Sequence, residues 1–183
     1  MLRAILKYGI IAGLIVIIPF ASMVVADAPE TWIEGGVLLG FLTMIVALSA
    51  VFLGVKHYRD KMPGGAIKFG PALAVGLGIS AVASVIYVIG WEIAMAASNF
   101  DFAATYAESM VAAARERGAS EAELQKVMAD AESFRQSYAS PLFRLPMGFI
   151  EIFPVGILIS LISAALLRNS RLLPARTAGQ ENL

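Results

Sequence analysis

The chain has 183 residues, of which 58% are hydrophobic and only 15% are charged. A soluble domain carries about 25% charged residues, so this composition is typical of a membrane protein. The formal net charge is zero, which argues against a nucleic-acid partner, and the lack of cysteine excludes disulfides and thiolate metal sites.

Four apolar stretches are long enough to cross a bilayer, which takes about 20 helical residues. They cover residues 5–25, 35–55, 69–97 and 146–167. This pattern predicts an all-α fold, an integral membrane four-helix bundle. Small residues four apart allow close helix packing in lipid, either within the chain or against a partner or second copy. Each span carries such residues: Gly9, Gly13, Gly36, Gly40, Gly70, Ala74, Gly78, Gly156 and Ser160.

Basic residues collect on one side of the predicted spans, as the positive-inside rule requires of cytoplasmic segments. The opposite segments, residues 26–34 and 98–145, contain more acidic than basic residues. The rule therefore predicts that both termini are cytoplasmic. An alternative reading takes the first span as a signal peptide cleaved after residues 26–28, although its apolar core is longer than usual.

The segment between the third and fourth spans, residues 101–138, predicts an extracytoplasmic hairpin of two amphipathic helices. Gly118 is a typical helix stop, and Ser120 with Glu123 forms a capping-box pattern that starts the second helix. We expect the two apolar stripes to pack on each other and on the ends of the spans, or to dock a partner. Beyond the fourth span, residues 169–183 are predicted to be a flexible cytoplasmic tail.

Several short motifs resemble a known family. Tyr58-Arg59-Asp60 followed by residues 63–70 is similar to the second-loop signature of the bacterial domain-of-unknown-function family 4199. Residues 83–92 resemble its third span, and Pro141, Arg144, Glu151 and residues 154–156 resemble its fourth. The resemblance implies a small multi-pass protein of the bacterial inner membrane with a helical hairpin outside, and no established activity.

Two ionisable residues, Glu92 and Glu151, lie inside predicted spans at similar depth. A charge at mid-bilayer costs about 2.5–3.5 kcal/mol on insertion scales, so such residues are often functional. Glu34 and Arg144 lie near the same surface. These four residues form a candidate intramembrane polar site that binds a proton or cation. The structural alternative is that the carboxylates pair with Arg144 or with the indole of Trp91.

The loop after the second span is a second candidate site. Basic side chains attract anionic lipid headgroups by about 1 kcal/mol each. The residues concerned are Lys56, Arg59, Lys61 and Lys68. The alternative is that these bases only enforce topology.

The sequence favours a non-enzymatic accessory or partner-binding membrane protein, with membrane lipids and a protein partner or second copy as contacts. The alternative is a small proton- or cation-linked transporter, or a subunit of one, that uses Glu92 and Glu151. An enzyme acting on lipid would need a nucleophile or metal cluster that we do not find. No catalytic residue, metal ligand or cofactor is predicted.

Overall fold

The computed structural model describes residues 1–25 and 30–174; the side chains of Met23, Val25, residues 30–39 and Phe41 lie outside that description. The described residues form six α-helices and a one-turn 3-10 helix at Pro63–Gly65, with no strand. The all-α prediction is therefore confirmed for this part of the chain. The helices are α1 (Leu2–Val25), α2 (Glu30–Asp60), α3 (Phe69–Ala97), α4 (Phe102–Glu116), α5 (Glu121–Tyr138) and α6 (Pro141–Leu167).

Four of these helices, α1, α2, α3 and α6, are long and apolar enough to cross a membrane, which confirms the predicted multi-pass character. α3 lies against α1, α6 and α2, and α2 also contacts α1 and α6. Leu48, Ile79 and Ile152 are fully buried between the helices. Large apolar side chains on the outer surfaces, among them Val46, Ile93 and Leu158, are exposed as lipid contact requires.

Three helices are longer than the apolar stretches that predicted them, α1 only at its start and α2 and α6 by more. α2 continues through the basic residues to Asp60, and α6 begins at Pro141 rather than at Pro146. Proline fits the first helical position because its missing N–H would have no partner there. The early start places Arg144 on the first turns of α6, on the same helix as Glu151.

The contact between α1 and α3 depends on glycine. A Cβ atom on Gly9 would lie 2.6 Å from Cβ of Val82, and one on Gly13 would lie 2.6 Å from Cβ of Ile86. Such distances are far below van der Waals contact, so only glycine lets the two helices approach this closely. The small-residue face of α1 is therefore used within the chain.

The contact between α3 and α6 is a reciprocal pairing of glycine with serine. A Cβ on Gly156 would lie 2.5 Å from Cβ of Ser80, and one on Gly76 would lie 2.8 Å from Cβ of Ser160. Each serine hydroxyl donates to the carbonyl of the glycine four residues earlier on its own helix, and the two hydroxyls are 3.3 Å apart. Helix α6 is thereby held close to α3, which sets the position of α6 along α3.

The predicted hairpin residues form α4 and α5, which pack against each other through buried Ala114 and Ala131. Gly118, with φ of +71°, ends α4 in the left-handed conformation that glycine tolerates. The predicted capping box is confirmed: the Ser120 hydroxyl accepts from the Glu123 N–H, and the Glu123 carboxylate accepts from the Ser120 N–H. The latter hydrogen bond holds the pKa of Glu123 below its ordinary value.

We expect Gly156→Ala to destabilise the protein, because the added methyl group collides with Ser80 across the contact between α3 and α6. Overpacking of this kind costs about 1–3 kcal/mol. The matched control is Gly70→Ala, since no atom lies within 4 Å of the Cβ position there. Thermal unfolding in detergent, followed by circular dichroism, should show a lower Tm for Gly156→Ala alone. An equal Tm for the two variants would contradict the close contact.

Candidate functional site

An aromatic cluster joins the hairpin to the end of α3. The ring of Trp91 on α3 meets the ring of Phe102 on α4 edge to face, with centroids 5.2 Å apart. Its indole N–H donates to the hydroxyl of Tyr138 on α5 at 2.8 Å. Burial raises the pKa of the Tyr138 hydroxyl, opposed by the hydrogen bond from Trp91. A buried aromatic contact with its polar atom satisfied is a stable, directional one.

An ion pair between α6 and α3 lies beside this aromatic cluster. The Arg144 Nε and Nη2 atoms donate to the two carboxylate oxygens of Glu92 on α3, both at 2.6 Å. The remaining Nη1 donates to the backbone carbonyl of Tyr138 at 3.1 Å. A bidentate pair of this kind fixes orientation as well as distance. Arg144 thus connects α3, α5 and α6 through one guanidinium group. The contacts among Trp91, Phe102, Tyr138, Glu92 and Arg144 are together called the joint.

A cavity of about 70 Å³ lies directly beside the joint. Its lining includes Glu92, Glu151 and Arg144. The aromatic residues of the joint and Tyr87 also line it. The Tyr87 hydroxyl donates to the Glu151 carboxylate at 3.3 Å. Glu151 has no ion pair among the described residues, so the cavity holds one more carboxylate than it has cations. A space of this size is large enough for water or a small cation.

Three of the four residues of the candidate polar site therefore lie around one cavity: Glu92, Glu151 and Arg144. Glu34 belongs to α2, but its side chain lies outside the described residues. Of the two intramembrane carboxylates, Arg144 pairs with Glu92 and not with Glu151. The helical start of α6 at Pro141 explains this choice, because Arg144 then projects toward α3.

Sequence reasoning did not identify Tyr87, Phe102 or Tyr138 as site residues. In the sequence, Phe102 and Tyr138 belong to the two apolar stripes of the predicted hairpin. Their positions at the beginning of α4 and the end of α5, next to the spans, were the available signal. Tyr87 lies one helical turn before Trp91, and their rings stack with centroids 6.4 Å apart.

The four bases proposed to contact anionic lipids lie in different surroundings. Lys56 pairs with Asp60 at 2.5 Å, and Lys61 and Lys68 are exposed. Arg59 departs from the expectation of a surface cation, because its side chain is fully buried. It is buried by residues 172 and 173, whose carbonyls accept hydrogen bonds from its guanidinium.

The contacts of Arg59 involve the first part of the segment that was predicted to be a flexible tail, which begins at residue 169. The first part of that tail, residues 169–174, turns back to Arg59 instead of extending away from the bundle. A buried guanidinium requires acceptors, and the tail carbonyls supply them. The rest of the predicted tail, residues 175–183, lies outside the described residues.

The family profile described as "Protein of unknown function (DUF4199)" matches residues 7–169, which is most of the chain. The chain belongs to the DUF4199 family. The resemblance of its sequence motifs to this family is thereby confirmed. No curated protein and no solved structure matches this chain. Because DUF4199 membership carries no known activity, the function of this DUF4199 protein has to be inferred from its geometry.

We expect Glu92→Gln and Arg144→Gln to loosen the hairpin of this DUF4199 protein, and the double variant to lose little more than either single one. Residues that share a hydrogen-bonded pair show coupling of about 0.5–3 kcal/mol in such cycles. Hydrogen exchange of the α4 and α5 amides measures the loosening directly. Glu108→Gln, on an exposed hairpin side chain without a partner among the described residues, is the control. Additive effects of the two joint variants would show that the pair does not hold the hairpin.

Proposed function

We propose that this chain is a non-enzymatic accessory protein of the bacterial inner membrane that holds a helical hairpin in a fixed orientation for a protein partner. The joint is the observation that carries this proposal. It connects α4 and α5 to the membrane-spanning helices through the aromatic contact of Trp91 with Phe102 and through two hydrogen bonds to Tyr138, from the indole of Trp91 and from Arg144. The bidentate ion pair with Glu92 orients the Arg144 guanidinium for this contact.

A hairpin of this size needs such a joint. α4 and α5 have 15 and 18 residues, and helices of about 12–15 residues are marginal by themselves in water. A freely moving hairpin would be sufficient as a linker between α3 and α6. A hairpin held by α3 and α6 together presents the same surface at the same place, which lowers the entropy cost of binding a partner.

The surface that the joint leaves open has the character of a binding face. A groove of about 350 Å³ runs between α4 and α5 and is lined mainly by small apolar residues. Charged residues of both signs surround it, namely Glu108, Arg115, Glu132 and Arg135. None of these four forms an ion pair among the described residues. An apolar groove with a charged rim is typical of a transient protein contact.

The use of the polar residues supports a role without catalysis. Glu92 and Arg144 occupy each other, so neither is available as a free acid, base or electrophile. Their hydrogen bonds instead orient the hairpin.

The charge distribution supports a hairpin outside the cytoplasm. Exposed Lys61 and Lys68 lie between α2 and α3, at the end of the bundle opposite to the hairpin connection. By the positive-inside rule that end faces the cytoplasm, together with both termini.

A cysteine crosslinker tests both parts of this proposal, because the natural chain has no cysteine. A membrane-impermeant reagent added to intact cells should react with Ala112→Cys, an exposed groove residue, and join it to one protein in fixed ratio. Adding Arg144→Gln to this variant should reduce that product, since it frees the hairpin. Glu132→Gln, introduced instead of Arg144→Gln, tests whether the groove itself binds the partner.

The two failures are distinguishable. Reaction only after the cells are opened would contradict the orientation. Reaction in intact cells without a protein adduct, or with an adduct that Arg144→Gln leaves unchanged, would contradict the partner-presenting function.

The second candidate function is proton- or cation-linked, and the carboxylate of Glu151 favours it. This group lies beside the cavity with the Tyr87 hydroxyl as its hydrogen-bond partner and without a cation. A carboxylate in a membrane without a paired cation either binds a proton or attracts a small cation. Glu151 is therefore the carboxylate to test, whereas Glu92 is already neutralised by Arg144.

For this candidate we expect proteoliposomes with the natural protein to lose an imposed pH gradient faster than those with Glu151→Gln. Tyr87→Phe should give an intermediate rate because it removes the hydrogen bond to the carboxylate. A pH-sensitive dye inside the vesicles measures the rate, and Glu108→Gln is the control. Equal rates for the natural protein and Glu151→Gln would remove this candidate.

A further inference from the structure

A fully buried arginine, Arg59, lies at the end of α2, where four hydrogen bonds surround its guanidinium. The Nη1 atom of Arg59 donates to the carbonyl of Leu172 at 2.8 Å, and Nη2 donates to the carbonyl of Leu173. Nε and Nη2 also donate to Oδ1 of Asp60, at 3.0 and 2.8 Å. The side chain is fully buried, although the tail residues that cover it are exposed. We call residues 169–174 the strap.

The charges at this place do not balance. Asp60 is the acidic residue in contact with Arg59, and it also accepts from Lys56 Nζ at 2.5 Å. Two cations therefore share one carboxylate, and the strap contributes only neutral carbonyl groups. A buried charge is stabilised best by a group of opposite charge with matching hydrogen-bond geometry. The strap supplies the geometry and lacks the charge.

The strap also holds an unfavourable backbone conformation. Leu173 has φ of +53°, in the left-handed region that leucine rarely adopts, and it is the only such residue other than glycine in the described chain. Its Cβ atom is strained against the backbone there. Such strain persists when surrounding contacts require it. Here the contact is the hydrogen bond from Arg59 to the carbonyl of Leu173. This hydrogen bond keeps Leu173 in a backbone conformation that leucine disfavours.

We propose that Arg59 is the centre of a binding site for a phosphate oxyanion and that the strap occupies this site when the ligand is absent. The planar fork of a guanidinium matches two phosphate oxygens, as it now matches two carbonyl oxygens. A phosphate adds the missing negative charge and releases the strain at Leu173. The end of a membrane-spanning helix places Arg59 at the depth of lipid headgroups, where anionic groups are found.

The strap is the reporter in the experiment that tests this proposal. A spin label on Ser170→Cys, an exposed strap residue in a chain without natural cysteine, reports how mobile the strap is. The full-length protein is placed in phosphatidylcholine nanodiscs, in nanodiscs that also contain phosphatidylglycerol, or in phosphatidylcholine with inorganic phosphate added. We expect the strap to become mobile when a phosphate oxyanion is supplied as phosphatidylglycerol or as inorganic phosphate.

Three variants separate this site from general surface charge. Arg59→Lys keeps the charge but loses the fork, so it should weaken the response about tenfold or more, as loss of a charged hydrogen bond does. Lys61→Gln removes an exposed charge and should change the response little. Leu173→Gly relieves the left-handed strain, which strengthens the strap, so it should need more anion for the same mobility. This last variant leaves the guanidinium unaltered and tests the proposal even if Arg59→Lys folds poorly.

The outcomes are distinct. Release by phosphatidylglycerol alone supports the site and assigns it to lipid headgroups, whereas release by inorganic phosphate supports it as a site for soluble phosphate. A strap that stays immobile with both anions overturns the proposal. A response that Lys61→Gln and Arg59→Lys weaken equally, or one that Leu173→Gly leaves unchanged, also overturns it.

Discussion

The bidentate ion pair between Arg144 and Glu92 determines where the hairpin lies relative to the membrane-spanning helices. Its guanidinium contacts residues of α3 and α5 while belonging to α6, so three helices meet at one side chain. The pair depends on the close approach of α6 to α3 nearer the cytoplasmic end proposed for the bundle. There the side chains of Ser160 and Ser80 pack directly against Gly76 and Gly156 of the opposite helix. The close packing of α3 and α6 at these glycines thus sets the position of the ion pair between Arg144 and Glu92.

Much of this architecture can be predicted from the sequence, because apolar length and local patterns have few alternatives. The four apolar stretches correspond to four long helices, and Ser120 with Glu123 forms the capping box that its spacing indicates. The likeness to the DUF4199 family is also carried by short local motifs. These signals depend on neighbouring residues in the chain, so they survive without knowledge of the fold.

The contacts between distant residues were not predictable in the same way. The partner of Arg144 depends on where α6 begins, and Pro146 offered a later start than the Pro141 that the helix uses. The burial of Arg59 depends on a tail more than a hundred residues away, whose composition is typical of a flexible segment. In both cases a basic residue has several acceptors within reach along the sequence, and only the packed helices select one.

The two arginines have related roles at different places in the fold. Arg144 holds the hairpin between α3 and α6, and Arg59 holds the strap after α6. The difference lies in charge, since Arg144 has the whole carboxylate of Glu92, whereas Arg59 shares Asp60 with Lys56. The first contact is therefore suited to permanent positioning. The second leaves a positive charge for an incoming anion, which agrees with the proposed exchange of the strap for phosphate.

The most direct test of the account is the distance between the hairpin and the spans. Spin labels on Glu121→Cys, at the exposed start of α5, and Leu158→Cys, on the outer face of α6, measure it in a lipid nanodisc. The account predicts one narrow distance distribution for the natural background and a broad one when Arg144→Gln is added. A distribution that is broad in both would contradict the claim that the joint fixes the hairpin.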